Sequence, residues 1–398
     1  MKKLMILGGS RYILPVIKAA HNLGVYVITC DYLPNNIAHK YSDEYCYVSI
    51  IDKEAVLKKA REYQIDGITS FACDPGVITA AYVAEEMNLP SGCSYKAACI
   101  LQNKKLFRSF LKEHGFSVPI ANGYSCIDDA LKDTSLFHWP VIVKPTDSAG
   151  SKGVSRVDSP ENLEKAIEYA LLFSRSKEFI IEDFIIPHGY SSDTDSFSID
   201  GELKFVSFNS QMFDIDADNP YTPAAYSWPS SISQEHQSEL SVEIQRLIHL
   251  LGLGTSIYNI ETREGIDGKA YIMEMSPRGG GNRLAECIEY ATGVKLIENT
   301  VRAALGFPLI DVNQVSFNGY WAEVILHSEE DGYFKKCHIS DRIQRNIIDF
   351  DLWINPGDEV KSFKSANFAI GTIILRFDNA SQLREAMSDI NQFIKIEI

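Results

Sequence analysis

Residues 256–283 read SIYNIETREGIDGKAYIMEMSPRGGGNR, and this stretch is the most informative part of the sequence. Two apolar runs flank an Asp267-Gly268 turn, a dipeptide typical of tight β-hairpins. Glu261 and Glu274 lie late in the two runs. Burying carboxylates in apolar strands costs free energy unless a cation is close by. The stretch therefore predicts a hairpin whose two acids share one Mg²⁺ ion. A structural salt-bridge pair is the plainer alternative.

The hairpin is followed at once by the glycine-rich sequence SPRGGGNR at 276–283. Its glycines, Gly280 among them, let the backbone approach a ligand closely. The guanidiniums of Arg278 and Arg283 suit anionic groups such as carboxylates and phosphates. This turn is therefore a candidate binding loop beside the predicted metal site.

A second candidate is the apolar run WPVIVK, which ends at Lys144 and precedes the small-residue loop 147–153. A lysine at a strand end, facing a loop whose backbone N–H groups are accessible, is an arrangement that can hold polyphosphate. Lys152 adds a second cation within the loop. An ordinary surface hairpin is the alternative for this segment.

A third candidate is the strand EFIIEDF at 178–184. Peptide groups at its end can hydrogen-bond the edge of a purine, and Glu182 can accept from an exocyclic amine. Taken alone, the segment is equally a strand end with solvated acids.

The first 92 residues alternate strand and helix patterns, which predicts an open parallel α/β domain. Gly8-Gly9-Ser10 follows the first strand, where a phosphate can bind, but the full G-x-G-x-x-G spacing is absent. A tight turn is the better interpretation, and a nicotinamide site is weakly supported. The chain has no Walker A sequence, so an ATP site would need another architecture.

Composition narrows the function classes. The 398 residues carry a net charge of −15, which argues against nucleic acid or an anionic membrane as the main partner. Eight cysteines are scattered without a C-x-x-C pair, so neither a zinc site nor a disulfide scaffold is predicted. No run approaches the 18 or so apolar residues of a membrane span. We expect a cytoplasmic protein.

Taken in chain order, these features resemble the ATP-grasp superfamily over most of the chain. Each feature is weak singly, but together they match the order and spacing of that family. They are Asn103-Lys104 opening a helix, Lys144 with its loop, Glu182-Asp183-Phe184-Ile185, Glu261, and Glu274-Met275-Ser276-Pro277-Arg278. The C-terminal part, with Asn355-Pro356-Gly357-Asp358, looks like the last domain of the biotin-carboxylase-like and amino-acid-ligase branches.

The resemblance implies an α/β and α+β multidomain fold. Residues 1–92 would form the N-terminal open α/β domain. Residues 93–308 would form the ATP-grasp domain of two α+β subdomains, with a mobile lid at about 117–184. Residues 309–398 would form a small C-terminal α+β domain packed on the ATP-grasp core.

The resemblance also implies roles for individual residues. Arg278 and Lys144 would be catalytic, and Glu261, Glu274 and Ser276 would bind Mg²⁺ or Mn²⁺. Arg278, Gly280 and Arg283 would bind substrate. The residues expected to bind ATP are Lys104, Lys144, Ser148, Gly150, Ser151, Lys152, Gly153, Glu182, Asp183, Phe184, Ile185 and His188.

Two positions depart from the family pattern. Ser276 stands where the family usually has asparagine, and a hydroxyl is a poorer magnesium ligand than an amide oxygen. The second metal would then be held through water or by Asn282. The acid expected to bind the ribose has no clear equivalent, and His188, Ser191 and Asp193 all lie nearby.

The function implied is an ATP-dependent carboxylate–amine ligase that forms an acyl phosphate from a small carboxylate, an amino acid being favoured, and joins it to an amine. Its partners would be these small molecules, with no nucleic acid or membrane, and a homodimer is left open. The alternatives are a purine-pathway or carbamoyl-phosphate-synthase-like enzyme and a non-catalytic ATP-binding regulator. A dehydrogenase is a remote alternative, and a biotin carboxylase is disfavoured because no biotin-carrier sequence is found.

Overall fold

The computed structural model describes residues 1–398, and its first region is a parallel α/β domain. The elements are β1 (Lys3–Leu7), α1 (Leu14–Asn22), β2 (Tyr26–Asp31), β3 (Glu44–Tyr47), α2 (Lys53–Tyr63), β4 (Gly67–Ser70) and α3 (Asp74–Met87). The strands are all parallel, in the order β3-β2-β1-β4. The apolar strand β1 is buried from Leu4 to Leu7, as in sheets covered by helices on both faces.

Two helices connect this domain to the next: α4 (Tyr95–Leu101) and α5 (Lys104–Glu113). The side chain of Asn103 caps α5 by accepting a hydrogen bond from the N–H of Leu106 at 3.0 Å. Lys104 and Arg108 are four residues apart and therefore lie on one face of α5. The helix thus directs both cations toward the sheets that follow.

The third region is an antiparallel sheet in the order β5-β8-β6-β7, covered by α7. Its elements are β5 (Ala121–Tyr124), α6 (Ile127–Lys132), β6 (Val141–Pro145), β7 (Ser155–Val157), α7 (Leu163–Phe173) and β8 (Phe179–Asp183). Lys144 lies near the end of β6, and the small-residue loop joins β6 to β7. The sheet has its own apolar core, which makes it a distinct subdomain.

The fourth region is a second antiparallel sheet, in the order β10-β9-β13-β14. Its elements are β9 (Ser192–Ile199), β10 (Glu202–Phe205), α8 (Gln234–Leu250), β13 (Ser256–Glu264), β14 (Ala270–Ser276), α9 (Leu284–Thr292) and α10 (Leu296–Leu305). The predicted hairpin is β13-β14, and β9 pairs with the other edge of β13. Three strands therefore present side chains in matched rows.

The last region is built on a five-stranded antiparallel sheet, in the order β11-β12-β15-β20-β18. Its elements are β11 (Ser210–Phe213), β12 (Pro223–Trp228), β15 (Tyr320–Leu326), β16 (Gly332–Tyr333), β17 (Lys336–Ile339), α11 (Asp341–Gln344), β18 (Ile347–Leu352), β19 (Glu359–Val360), β20 (Gly371–Phe377), α12 (Ala380–Ser388) and β21 (Ile394–Glu397). The segment 211–232, which mixes acids, prolines and aromatics, supplies β12 and most of β11. This sheet therefore crosses the expected boundary at 308, and the domain limits stay a prediction.

One apolar core joins the regions. It combines residues from β1 and α1, from α9 and α10, and from the five-stranded sheet, including Ile6, Leu284, Tyr226 and Ile374. No helix has both the length and the apolar character needed to cross a membrane. The predicted fold class, a parallel N-terminal domain followed by α+β regions with antiparallel sheets, is confirmed.

Candidate functional site

Glu182 is buried between two cations. The Nζ of Lys144 lies 2.5 Å from its Oε1, and the Nε of Arg108 lies 2.9 Å from its Oε2. Arg108 also donates to the carbonyl of Met273 at 2.7 Å. Burial alone would raise the pKa of Glu182, but Arg108 and Lys144 lower it to about 2. The carboxylate is therefore charged and holds Lys144 at the end of β6.

The expected purine-binding segment follows Glu182. The N–H of Asp183 donates to the carbonyl of Ile120 at 2.8 Å, and that of Phe184 to Pro140 at 3.0 Å. The N–H of Ile185 makes no hydrogen bond within the chain. A base edge can therefore be met by Ile185, while the carboxylate of Glu182 is already engaged by its two cations.

Lys104 connects the small-residue loop to the β13-β14 hairpin. Its Nζ donates to the carbonyl of Ser148 at 2.9 Å and lies 3.2 Å from Oε1 of Glu274. The Nζ of Lys144 lies 4.0 Å from the same oxygen. Burial would raise the pKa of Glu274, but the two lysines bring it below its ordinary value. Two cations thus meet at one carboxylate.

Three acids form a row across neighbouring strands, which we name the carboxylate row. In the sheet register, Glu261 lies opposite Glu274 on one side and opposite Asp193 on the other. Glu261 pairs with Arg263, whose Nη2 is 3.0 Å from its Oε1. Burial, followed by the charge of Glu261, raises the pKa of Asp193 to about 7. The row therefore concentrates negative charge.

The carboxylate oxygens of the row are suitable ligands for a magnesium ion. Side chains of Glu261 and Glu274 retain 28% and 44% exposure, so their oxygens are accessible. No group of three His, Cys, Asp or Glu side chains is arranged to hold a metal alone. Mg²⁺ typically takes one or two protein carboxylates and completes its shell with substrate phosphates and water. These donors suit that mode rather than a protein cage.

Arg278 is fixed by Asp74, which comes from the first domain. Its Nε and Nη2 donate to the two oxygens of Asp74 at 2.9 and 2.8 Å, a bidentate pair. Its Nη1 donates to Oδ1 of Asn259 at 2.8 Å. Burial would raise the pKa of Asp74, but Arg278 lowers it below its ordinary value. The predicted substrate-binding arginine is thus held in one orientation.

Ser276 lies in a second row of side chains, where Asn259 is opposite Ser276 and also opposite Asp195. The hydroxyl of Ser276 donates to Asp74 at 2.8 Å and accepts from Gln102 at 2.7 Å. It therefore faces these partners, and its predicted role as a metal ligand stays a prediction.

The glycine-rich loop packs tightly. A Cβ on Gly279 would lie 2.2 Å from the ring of Phe71, which only glycine avoids. Gly280 donates its N–H to Asp195 at 2.7 Å. Arg283 lies beyond the loop, where its Nη2 pairs with Glu286 at 3.1 Å and with Asp349 at 2.5 Å. Arg283 is therefore already paired, and its expected role in binding substrate stays a prediction.

The remaining residues expected to bind nucleotide lie on the loop 148–153 and at His188. Gly150, Ser151 and Gly153 all have positive φ angles, which gives the loop its sharp path. The hydroxyl of Ser151 donates to the carbonyl of Tyr221 at 2.9 Å, and Lys152 is exposed. The ring of His188 is exposed and lies 3.6 Å from Glu264.

A family model described as "ATP-grasp domain" matches residues 137–287. This chain carries an ATP-grasp domain. The matched part runs from the segment before β6 into α9 and contains Lys144, Glu182, Glu261, Glu274 and Arg278. The resemblance inferred from the sequence is therefore confirmed.

Two relatives extend the match beyond this ATP-grasp domain. A formate-dependent phosphoribosylglycinamide formyltransferase from Bacteroides thetaiotaomicron is 24% identical over 317 residues, covering 79% of this chain and 80% of that protein. The carbamoyl phosphate synthase large chain of Thermotoga neapolitana is 24% identical over 275 residues, covering 69% of this chain. This chain spans only 24% of that synthase chain.

Solved structures share the fold over the whole chain. An L-amino acid ligase from Bacillus licheniformis has a TM-score of 0.82 at 20% identity, covering 100% of this chain and 98% of its own. A phosphoribosylglycinamide synthetase from Anaerococcus prevotii has a TM-score of 0.78 at 22% identity, covering 100% and 99%. A biotin carboxylase domain from Hydrogenobacter thermophilus, in complex with MgADP, has a TM-score of 0.75 at 17% identity, covering 100% and 90%. The match to the ATP-grasp model agrees with the predictions of an ATP-dependent ligase class and of ATP with Mg²⁺.

The candidate site also uses residues that the sequence analysis did not identify. Arg108 holds Glu182, and Asp74 holds Arg278. Asn259 and Asp195 form the row beside Ser276. Arg108 lies on the buried face of α5, where an arginine four residues after Lys104 was an available signal. The partnership of Asp74 with Arg278 left no local signal, because the two are distant in sequence.

Proposed function

We propose that this chain is an ATP-dependent carboxylate–amine ligase that acts on a small carboxylate, with an amino acid favoured. The observation that supports it best is the convergence of Lys104 and Lys144 on Glu274, within the carboxylate row. Cations for phosphate and carboxylates for a metal are the two parts that phosphoryl transfer requires.

Each residue has a distinct task in this proposal. Lys104 and Lys144 exchange their contact with Glu274 for phosphate oxygens, while Glu182 keeps Lys144 in place. Glu261 and Glu274 would hold Mg²⁺, which when bound neutralises negative charge on the phosphates. Arg278, oriented by Asp74, steadies the carboxylate that attacks the γ-phosphate. The loop 148–153 excludes water, since water would hydrolyse the acyl phosphate before the amine arrives.

A purine-pathway ligase is the second candidate. It is favoured by the formyltransferase relative, of which this chain covers 80%. A carbamoyl-phosphate-synthase-like activity has weaker support, because this chain corresponds to 24% of that relative. A non-catalytic regulator is favoured only by Ser276, whose hydroxyl is turned to Asp74 and Gln102.

A phosphate-release screen separates these candidates. Purified protein with Mg·ATP would be assayed with every pair of amino acids, with formate plus phosphoribosylglycinamide, and with bicarbonate plus ammonium. We expect release that needs both a carboxylate and an amine, with an amino acid as the carboxylate. Glu261→Gln protein, prepared in parallel, controls for contaminating ATPase.

Each other result has a clear consequence. Release with formate and phosphoribosylglycinamide alone would move the assignment to the purine pathway. Release with bicarbonate and ammonium would favour the carbamoyl-phosphate reading. ATP binding without release across the whole panel would identify a regulator and overturn the ligase proposal.

A further inference from the structure

Glu323 is a buried carboxyl group with no partner. It lies in the middle of β15, is 0% exposed, and neither of its oxygens makes a hydrogen bond. Its register neighbours in the sheet are Tyr226 on β12 and Ile374 on β20, neither of which is a cation. Burying a carboxyl group without a partner costs free energy, so this position needs an explanation.

Two further buried acceptors lack partners: Oδ2 of Asp195 and Oδ1 of Asn282. Tyr226 links Asn282 to Glu323, because it lies opposite Glu323 in the sheet and its hydroxyl lies 3.4 Å from Nδ2 of Asn282. Asp195 is close enough for its charge to act on Glu323. We name Asp195, Asn282 and Glu323 the acceptor cluster, since all their unsatisfied atoms are acceptor oxygens.

The chain supplies no cation to the acceptor cluster. Arg283 is near enough to act on the charge of Glu323, yet its guanidinium pairs with Glu286 and Asp349. Arg278 is likewise paired with Asp74. Consistent with a missing cation, burial raises the pKa of Glu323 above its ordinary value and raises that of Asp195 to about 6. A donor is the kind of group that these oxygens lack.

The acceptor cluster adjoins the candidate active site. The other oxygen of Asp195 accepts the N–H of Gly280, two residues after Arg278. Asp195 also lies in register with Asn259, which holds Arg278. A group bound at the cluster is therefore next to the loop that would present the activated carboxylate.

We propose that the acceptor cluster binds the amine substrate as its primary ammonium ion, with Glu323 as the main recognition residue. An ammonium has three N–H donors and no acceptor, which matches unsatisfied oxygens on three side chains. The proposal deepens the ligase function and rests on it. It adds that the amine binds as a cation, in a buried site between β15 and the glycine-rich loop.

Binding without catalysis provides the test. Thermal unfolding would be compared in methylammonium chloride and in tetramethylammonium chloride at equal ionic strength, because the second cation has no N–H. A ligand that binds the folded state raises the Tm in a concentration-dependent way. We expect a rise specific to methylammonium that is lost in Glu323→Gln. The exposed Glu329→Gln, which makes the same change in charge, should keep it.

Asp195→Asn is a second variant, because it keeps an oxygen for the N–H of Gly280. Equal Tm values in the two salts for the wild-type protein, or an undiminished rise in Glu323→Gln, would overturn the proposal, and Asp195→Asn should also diminish the rise. In kinetics, Glu323→Gln should raise the KM for the amine at least tenfold. Positional isotope exchange in ATP with carboxylate alone reports on the ligase function separately, and the control Glu329→Gln should keep the wild-type rate. Absence of that exchange in the wild-type protein would count against the ligase function, while the methylammonium test would still report on the site.

Discussion

Glu261 on β13 lies directly opposite Glu274 on β14. Adjacent carboxylates repel each other unless a cation intervenes, and Asp193 adds a third acid to the same row. The lysines that meet Glu274 neutralise only one end of this row. Arg263 pairs with Glu261 in the middle of the row. Glu261 and Glu274 are the two acids of the row that we propose to hold the metal.

Glu261→Gln and Glu274→Gln should each weaken Mg·ATP binding severely, because each removes one of the two carboxylates available to the ion. The two should differ in stability without metal. Glu261→Gln relieves repulsion with Asp193 but also weakens the pairing with Arg263 at 3.0 Å, so its stability should stay close to that of wild type. Glu274→Gln deprives Lys104 of its partner at 3.2 Å, so this variant should not gain stability. Calorimetric titration with Mg·ADP and urea unfolding in EDTA measure both effects.

Glu202→Gln, on an exposed part of the same sheet, is the control for charge removal. If both row variants unfold the protein while surviving molecules keep full turnover, the pair is structural and the ligase proposal loses its main support.

The metal-free protein should lose stability as pH rises through the acidic range, in part through Asp193. Its pKa is about 7 when folded and about 3.9 in an unfolded chain. Between these values the folded state keeps a proton that the unfolded state releases, so the free energy of unfolding falls with pH and levels off above about 7. This one group contributes a slope of at most about 1.4 kcal/mol per pH unit.

Asp193→Asn should flatten that slope, because its amide does not titrate. Urea unfolding in EDTA, from about pH 4.5 to 7.5, compares the two proteins. Parallel curves for wild type and variant would show that Asp193 does not titrate in this window.

Lys144→Met should abolish turnover and also destabilise the protein. Removing a fixed charge at a transferring phosphoryl group costs about a hundredfold or more in rate. Breaking a buried ion pair costs about 3–5 kcal/mol, and Glu182 would keep only Arg108. Lys144→Arg keeps the positive charge, so it should restore the free energy of unfolding more fully than the rate of turnover. Phosphate release and urea unfolding separate the two effects, and near-native turnover in Lys144→Met would remove this lysine from the site.

Arg278→Lys should lower activity although it keeps the positive charge. A lysine cannot reproduce the two parallel hydrogen bonds to Asp74 or the third bond to Asn259. We expect kcat to fall at least tenfold, together with a higher KM for the carboxylate. Asp74→Asn should produce the same direction of change without touching substrate. Unchanged steady-state kinetics in both variants would show that the orientation of Arg278 is unimportant.

Local patterns predicted much of this site. Short apolar runs and turn residues predicted the hairpin with Glu261 and Glu274. They also predicted Lys144 near the end of β6 and the strand β8 that ends at Asp183. Such elements depend on residues that are close together in the sequence, so a single sequence was enough to predict them.

The partners that hold these residues were not predictable in the same way. Asp74 and Arg278 are separated by 204 positions, and Glu182 and Arg108 by 74. Pairing at such distances depends on the packing of whole domains, which leaves no periodic trace in the chain. The strands β11 and β12 were missed because 211–232 mixes acids, prolines and aromatics without strict alternation. Their pairing with β15 overrides the weak local preference.

The sheet that joins β12 to β15 has a consequence for synthesis of the chain. β12 ends at Trp228 and its partner begins at Tyr320, about 90 residues later. At roughly 5–20 residues per second, the ribosome needs on the order of 5–20 s to supply that partner. During this interval the edge of β12 that faces β15 has no hydrogen-bonding neighbour, although its other edge can pair with β11, and Glu323 has not yet been made. The nascent protein must therefore carry an open strand edge, a target for chaperones, until the last fifth of the chain emerges.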